Sequence, residues 1–113
     1  MTEILDTIYL FGYSPRDSSH LDTIIPLIKN QNSKGTKIGI VLIHDGVIGA
    51  SSKGKVPKEF RELVEISTNI YVLTPDLKAR GIALDTIDSD IKAIEYREFV
   101  DIIDSSEKII SWI

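Results

Sequence analysis

The 113-residue chain contains no cysteine, and that single absence excludes disulfides, persulfide carriage and thiolate metal ligation. Histidine occurs only twice, as His20 and His44, too few for a histidine-based metal centre. No metal or cofactor is therefore expected. Positive charge is also short: 13 Lys and Arg face 17 Asp and Glu, for a net charge of −4. Such a surface repels a nucleic-acid backbone unless its cations gather on one face, so direct nucleic-acid binding is not expected. No apolar run approaches the roughly 18 residues of a membrane span, and no charged-then-apolar leader opens the sequence. These absences predict a cytoplasmic protein with no membrane partner.

What the chain does have is a core. Hydrophobic residues make up 42% and charged residues 27%, the balance of a folded domain rather than a disordered segment. The length suits one domain over residues 1–113, without disulfide or metal support. Residues 7–12 form a short apolar run that ends in the turn chemistry of Ser14, Pro15 and Asp17. A helix is predicted next, capped by Ser18 or Ser19, with Leu21, Ile24, Ile25 and Ile28 on one face. Pro26 should kink or shorten it, and residues 30–37 read as a polar loop.

From Ile38 to Ile43 the chain is continuously apolar, which predicts a strand over residues 37–43 buried on both faces, as in parallel sheets. His44, Asp45 and Gly46 end it. A second amphipathic helix follows Pro57, using Phe60, Leu63 and Val64, and residues 69–73 give a third strand. Thr74 is placed to cap a short helix that begins with Pro75 and stops at Gly81. Residues 92–96 read as a fourth strand, 97–106 as a helix with Phe99, Val100, Ile102 and Ile103 inward, and 108–113 as a last strand. Strands alternating with helices predict an α/β fold. The expectation is a doubly wound, mainly parallel sheet of about five strands with helices on both faces.

In such sheets ligands and partners meet the loops at the carboxyl ends of the strands, which here begin at Ser14, His44, Thr74 and Tyr96. The stretch from Gly49 to Lys55 matches a phosphate loop until Val56 stands where Ser or Thr must bind magnesium. It reads as a lysine-bearing surface loop whose Lys53 and Lys55 suit an anionic partner, with a nucleotide site as the lesser reading. His44 and Asp45 are adjacent, so on a strand they would point to opposite faces and not act as an acid/base pair. A strand-end histidine satisfied by backbone or solvent and an interface or pocket role both remain open for His44. Asp76 and Arg80 are four apart and can pair on one helical face; Arg80 could equally dock a partner or an anion. Trp112 suits core or interface packing. No catalytic constellation is found.

Three pieces of sequence carry a family resemblance: Asp76-Leu77-x-Ala79-Arg80-Gly81-Ile82, then Ile91-x-x-Ile94-x-Tyr96-x-x-Phe99-Val100, then Trp112. With Ser14-Pro15 and His44-Asp45-Gly46-Val47 in order before them, they resemble the DsrH/TusB family of DsrE-like sulfur-relay proteins. The resemblance implies a DsrE-like fold and a place in a DsrEFH/TusBCD-like complex with DsrE-like and DsrF-like subunits, and a small sulfur-carrier protein as a further partner. It also implies a pathway of cysteine persulfides ending in tRNA wobble-uridine 2-thiolation or in sulfur oxidation. Because this chain has no cysteine, the expected role is a non-catalytic subunit that supports transfer by its partners. The alternative is a self-assembling module, a homo-oligomer that binds small anions through His44, Arg80, Lys53 and Lys55. The chain departs from the family in its Lys53-Gly54-Lys55 loop and in carrying His44 where glutamine is commoner.

Overall fold

The computed structural model describes residues 5–13, 18–51, 62 and 69–112. Five strands, β1 (Thr7–Phe11), β2 (Ile38–Leu42), β3 (Ile70–Leu73), β4 (Ile91–Ile94) and β5 (Lys108–Trp112), form one sheet. Their order is β4-β3-β2-β1-β5 and every pairing between them is parallel. The burial of each strand follows its place. β2 and β3 are buried at every position because neighbours and helices cover both faces, whereas the edge strands β4 and β5 alternate or lie open. The mainly parallel sheet predicted from the continuous apolar runs is thus fully parallel.

Steps from β1 to β4 all run one way across the sheet, and the step from β4 to β5 returns. Right-handed crossovers therefore place the first helices on one face and the last on the other. Helix α1 (Ser18–Ser33) packs Ile24, Ile25 and Ile28 into a core with Tyr9, Ile40 and Val72. Helix α2 (Thr74–Ala79) sends Leu77 into the same core. Helix α3 (Tyr96–Ser105) buries Ile102 on the opposite face, against Ile8, Val41 and Ile94. The second amphipathic helix expected after Pro57 is described only at Glu62, which is helical and ion-paired with Lys29 of α1.

Several local expectations change. Helix α1 continues through Pro26 to Ser33, so the residues read as a polar loop belong partly to its last turn. An interior proline costs about 3 kcal/mol. Burial of Ile24, Ile25 and Ile28, worth roughly 1.5–3 kcal/mol each, outweighs it. The stop comes at Gly35, left-handed at φ 81°: its N–H bonds to the Asn32 carbonyl and the Thr36 N–H to the Gln31 carbonyl, a Schellman closure. Helix α3 begins one residue earlier than expected. Glu95, read as strand, is its N-cap, and Glu95 and Glu98 form a reciprocal capping box. Thr74 does not cap α2. The helix starts directly after β3 with Leu73 at the N-cap position, which leaves Thr74 as a buried first-turn residue.

Tyr9 gives the core a pH signature. Its ring is buried, its hydroxyl donates to Gln31 Oε1 at 2.5 Å, and burial raises the phenol above its ordinary value of 10.0. Because the folded state holds the proton more tightly than the unfolded one, this contribution is complete below pH 10.0 and is lost as pH rises through the folded value. Melting temperature should therefore fall on the alkaline side above about pH 10, and Tyr9→Phe should flatten that fall. An identical alkaline decline in the variant would remove Tyr9 as its cause.

Candidate functional site at the carboxyl edge of the sheet

The chain leaving β2 does not remain extended. Ile43 donates to the Phe11 carbonyl at 3.1 Å, and residues His44–Ala50 then coil into 3-10 turns packed against the end of β1. Gly46 makes this approach possible, since a Cβ there would lie 2.2 Å from the Phe11 carbonyl oxygen. His44 takes a left-handed conformation at φ 49°. That region is sparsely used by side-chain-bearing residues, histidine among the more tolerant.

Helix α2 holds this turn in place. The Asp76 carboxylate accepts the backbone N–H of His44 at 2.8 Å, while the Arg80 guanidinium reaches the Asp45 carboxylate through Nε and Nη2, both at 3.1 Å. Arg80 Nη1 also donates to the Asp76 carbonyl at 3.3 Å. The side-chain pair expected between Asp76 and Arg80 is therefore not formed. Arg80 sits beyond the helix end at φ −106° and ψ 8°, so its side chain leaves the helical face that Asp76 shares and crosses to Asp45. His44 and Asp45 are not strand residues on opposite faces either. They occupy consecutive turn positions, both exposed, each tied to a different part of α2.

The family-like run ending in Gly81 has a plain mechanical purpose. Gly81, left-handed at φ 67°, donates to the Lys78 carbonyl, and the Ile82 N–H closes back on the Leu77 carbonyl at 3.0 Å. Leu77 and Ile82, the two ends of this closure, lie in the same core cluster. The helix is thereby stopped within two turns, with Arg80 released toward Asp45. With Asp45 at 61% and Arg80 at 27% side-chain exposure, the ion pair contributes at most about 1 kcal/mol to stability. Its value lies in orientation: one guanidinium, one carboxylate and one imidazole share an open rim at the ends of β2 and β3.

Of the eight residues singled out from sequence, four, namely His44, Asp45, Asp76 and Arg80, are brought together here. Trp112 is not among them. It ends β5, beyond β1, and packs half-buried against the core while its carbonyl accepts from Gly12 at 3.0 Å. Ser14, Lys53 and Lys55 lie outside the described residues. Of the phosphate-loop-like stretch, Gly49 and Ala50 are buried within the 3-10 turns, where the Ala50 carbonyl accepts from Asp88 at 2.9 Å. Among the described residues no cluster of three or more histidine, cysteine or carboxylate side chains could hold a metal ion, and no helix is long and apolar enough to cross a membrane. An open hollow of about 380 Å³ lies at the opposite, amino end of β3 and β4, lined by Asn69, Tyr71, Asp90 and Lys92 among others; none of the candidate residues borders it. Sequence reasoning read Gly46 only as part of the turn that ends β2; its need for a bare Cα is set by a carbonyl that arrives from β1.

Comparison with known proteins agrees with this architecture. The ychN protein of E. coli superposes with a TM-score of 0.77 at 15% identity, over 95% of this chain and 98% of that one. MTH1491 from Methanobacterium thermoautotrophicum, described as a protein of unknown function, gives a TM-score of 0.67 at 13% identity, over 92% of this chain and 98% of its own. At those identities the likeness is one of fold, the DsrE-like α/β arrangement. Among curated proteins, none matches the chain by sequence. The family described as "DsrH like protein" does match, over residues 13–109. That span takes in both the His44–Ala50 turns and the helix stop at Gly81, and by it this chain belongs to the DsrH-like family of small, sulfur-relay-related proteins.

Proposed function

We propose that the chain is a non-catalytic, cytoplasmic subunit of a sulfur-relay complex, in which it holds a thiol-bearing partner against the rim formed by His44, Asp45 and Arg80. The observation that carries this reading is a DsrH-like chain with no cysteine. A protein in that position has no atom on which to carry sulfur as a persulfide, so its contribution is to shape and orientation. The rim supports the reading because it offers a planar arginine fork, an exposed carboxylate and an exposed imidazole on a turn fixed by α2. DsrE-like and DsrF-like subunits are the partners proposed, with a small sulfur-carrier protein as recipient. The sulfur then goes to tRNA wobble-uridine 2-thiolation or to sulfur oxidation.

Purification of the native protein under mild conditions tests this directly. It should bring down a cysteine-bearing DsrE-like protein, and Arg80→Ala should weaken that capture by about tenfold or more, the usual effect of truncating an interfacial arginine. Recovery of the chain without any thiol-bearing partner would sink the proposal. Full capture by the Arg80→Ala variant would move the contact away from this rim.

A further inference from the structure

The two faces of the sheet are not equally covered. One carries α1, α2 and the helical residue Glu62; on the other, α3 is the only helix among the described residues. Around α3, at 3.6 residues per turn, Ile102, Phe99, Ile103, Tyr96 and Val100 follow one another as a single apolar arc. Only its inner part meets the sheet. Ile102 is buried and Phe99 half-buried, whereas Tyr96 is 56% and Val100 60% exposed, although sequence periodicity placed Val100 inward. The apolar arc of α3 is therefore wider than the sheet beneath it can cover.

The polar residues bordering the exposed part have a definite pattern. Arg97 lies one turn before Val100 and Asp104 one turn after it, both exposed, on the same margin of the arc. Glu98 and Asp101 fall further round the helix, off that margin. Arg97 and Asp104 are two turns apart, roughly 10 Å along the axis, with Val100 between them. A margin that is positive at one end and negative at the other is complementary to itself when reversed.

We propose that the exposed flank of α3 is an isologous interface at which a second copy of this chain packs antiparallel, with the two-fold axis near Val100. The symmetry sets Arg97 of each protomer against Asp104 of the other, twice, while Tyr96 and Val100 of both copies cover one another. A partner with a uniformly basic or acidic rim would match only half of this margin. The inference is independent of the sulfur-relay reading, since it concerns the opposite face of the sheet from α2 and can hold whether or not a thiol-bearing subunit binds the rim.

Sedimentation velocity on the full chain provides the test. Wild type should sediment at twice the 12.6 kDa chain mass, and Val100→Asp should be monomeric with an unchanged circular dichroism spectrum, since the site is exposed. Arg97→Asp and Asp104→Arg should each weaken the dimer about tenfold by creating two like-charged pairs, and combining them should restore it. Both reversals suit the helix dipole, an acid near its start and a base near its end, so a lost dimer cannot be ascribed to a melted helix. A wild-type chain that remains monomeric at about 0.5 mM would overturn the proposal. So would a dimer indifferent to Val100→Asp, or a double reversal that fails to restore it. A monomeric wild type whose Val100→Asp form loses a co-purifying protein would assign the flank to that protein instead.

Discussion

Alanine at Gly46 is expected to destabilise the chain by about 3 kcal/mol, lowering its melting temperature by roughly 12 °C. A Cβ built there lies 2.2 Å from the Phe11 carbonyl oxygen, closer than real contacts allow, and 3.1 Å from its carbon, a tight contact as well. The obstacle is backbone. A flexible side chain could swing aside, but the Phe11 carbonyl also accepts the Ile43 N–H and belongs to a central strand, so the His44–Ala50 turns must move instead. Gly35 provides the control. It is left-handed at φ 81° with nothing within 4 Å of its Cβ position, so Gly35→Ala should cost only about 1–2 kcal/mol of backbone strain. Thermal melts of the two variants decide the matter, and equal drops would mean that the turns yield to the extra methyl group. Displacing them also withdraws His44 and Asp45 from α2, so Gly46→Ala should weaken partner capture by the rim as well.

Leu77→Ala should cost about 3 kcal/mol, within the 2–5 kcal/mol found for buried leucines. Leu77 is fully buried, packs with the core beneath α1, and supplies the carbonyl that closes the helix stop on Ile82. Its neighbour in the same motif, Arg80, should behave differently. Arg80→Ala removes a partly exposed ion pair and is expected to cost less than about 1 kcal/mol in stability. Denaturant midpoints would separate the two. If Arg80→Ala proved as damaging as Leu77→Ala, the guanidinium would be a structural strut, and the proposed docking role would lose its basis. The family-like run thus divides into residues that build the short helix, Leu77, Gly81 and Ile82, and residues that face outward from it.

How much was legible beforehand varied with the range of the interaction involved. The uninterrupted apolar stretch at residues 38–43 declared a strand buried on both faces, and β2 is buried throughout. Gly81 declared a helix stop through its tolerance of positive φ, and the closure is found there. Pro26 misled, because a local rule about a missing N–H was outweighed by three isoleucines whose burial depends on the sheet below them. Val100 misled in a related way. Helical periodicity defines an apolar arc, but the width of that arc actually covered depends on what the helix lies upon.

The sequence by itself determined the α/β class, the chain order of the strands and of the described helices, and the exclusion of a thiol-based step on this chain. These follow from continuous apolar runs, helical spacing and composition, which are properties of neighbouring residues or of the whole chain. Only the tertiary structure decided that Asp76 would bind the His44 backbone 32 residues away and that Arg80 would pair with Asp45 across 35. It also decided that Gly46 would meet the Phe11 carbonyl, and that part of α3 would remain uncovered. The physical reason is the same in each case: these contacts join segments that parallel strands bring to one edge of the sheet, or depend on how far one layer extends beneath another. Spacing along the chain carries no record of either.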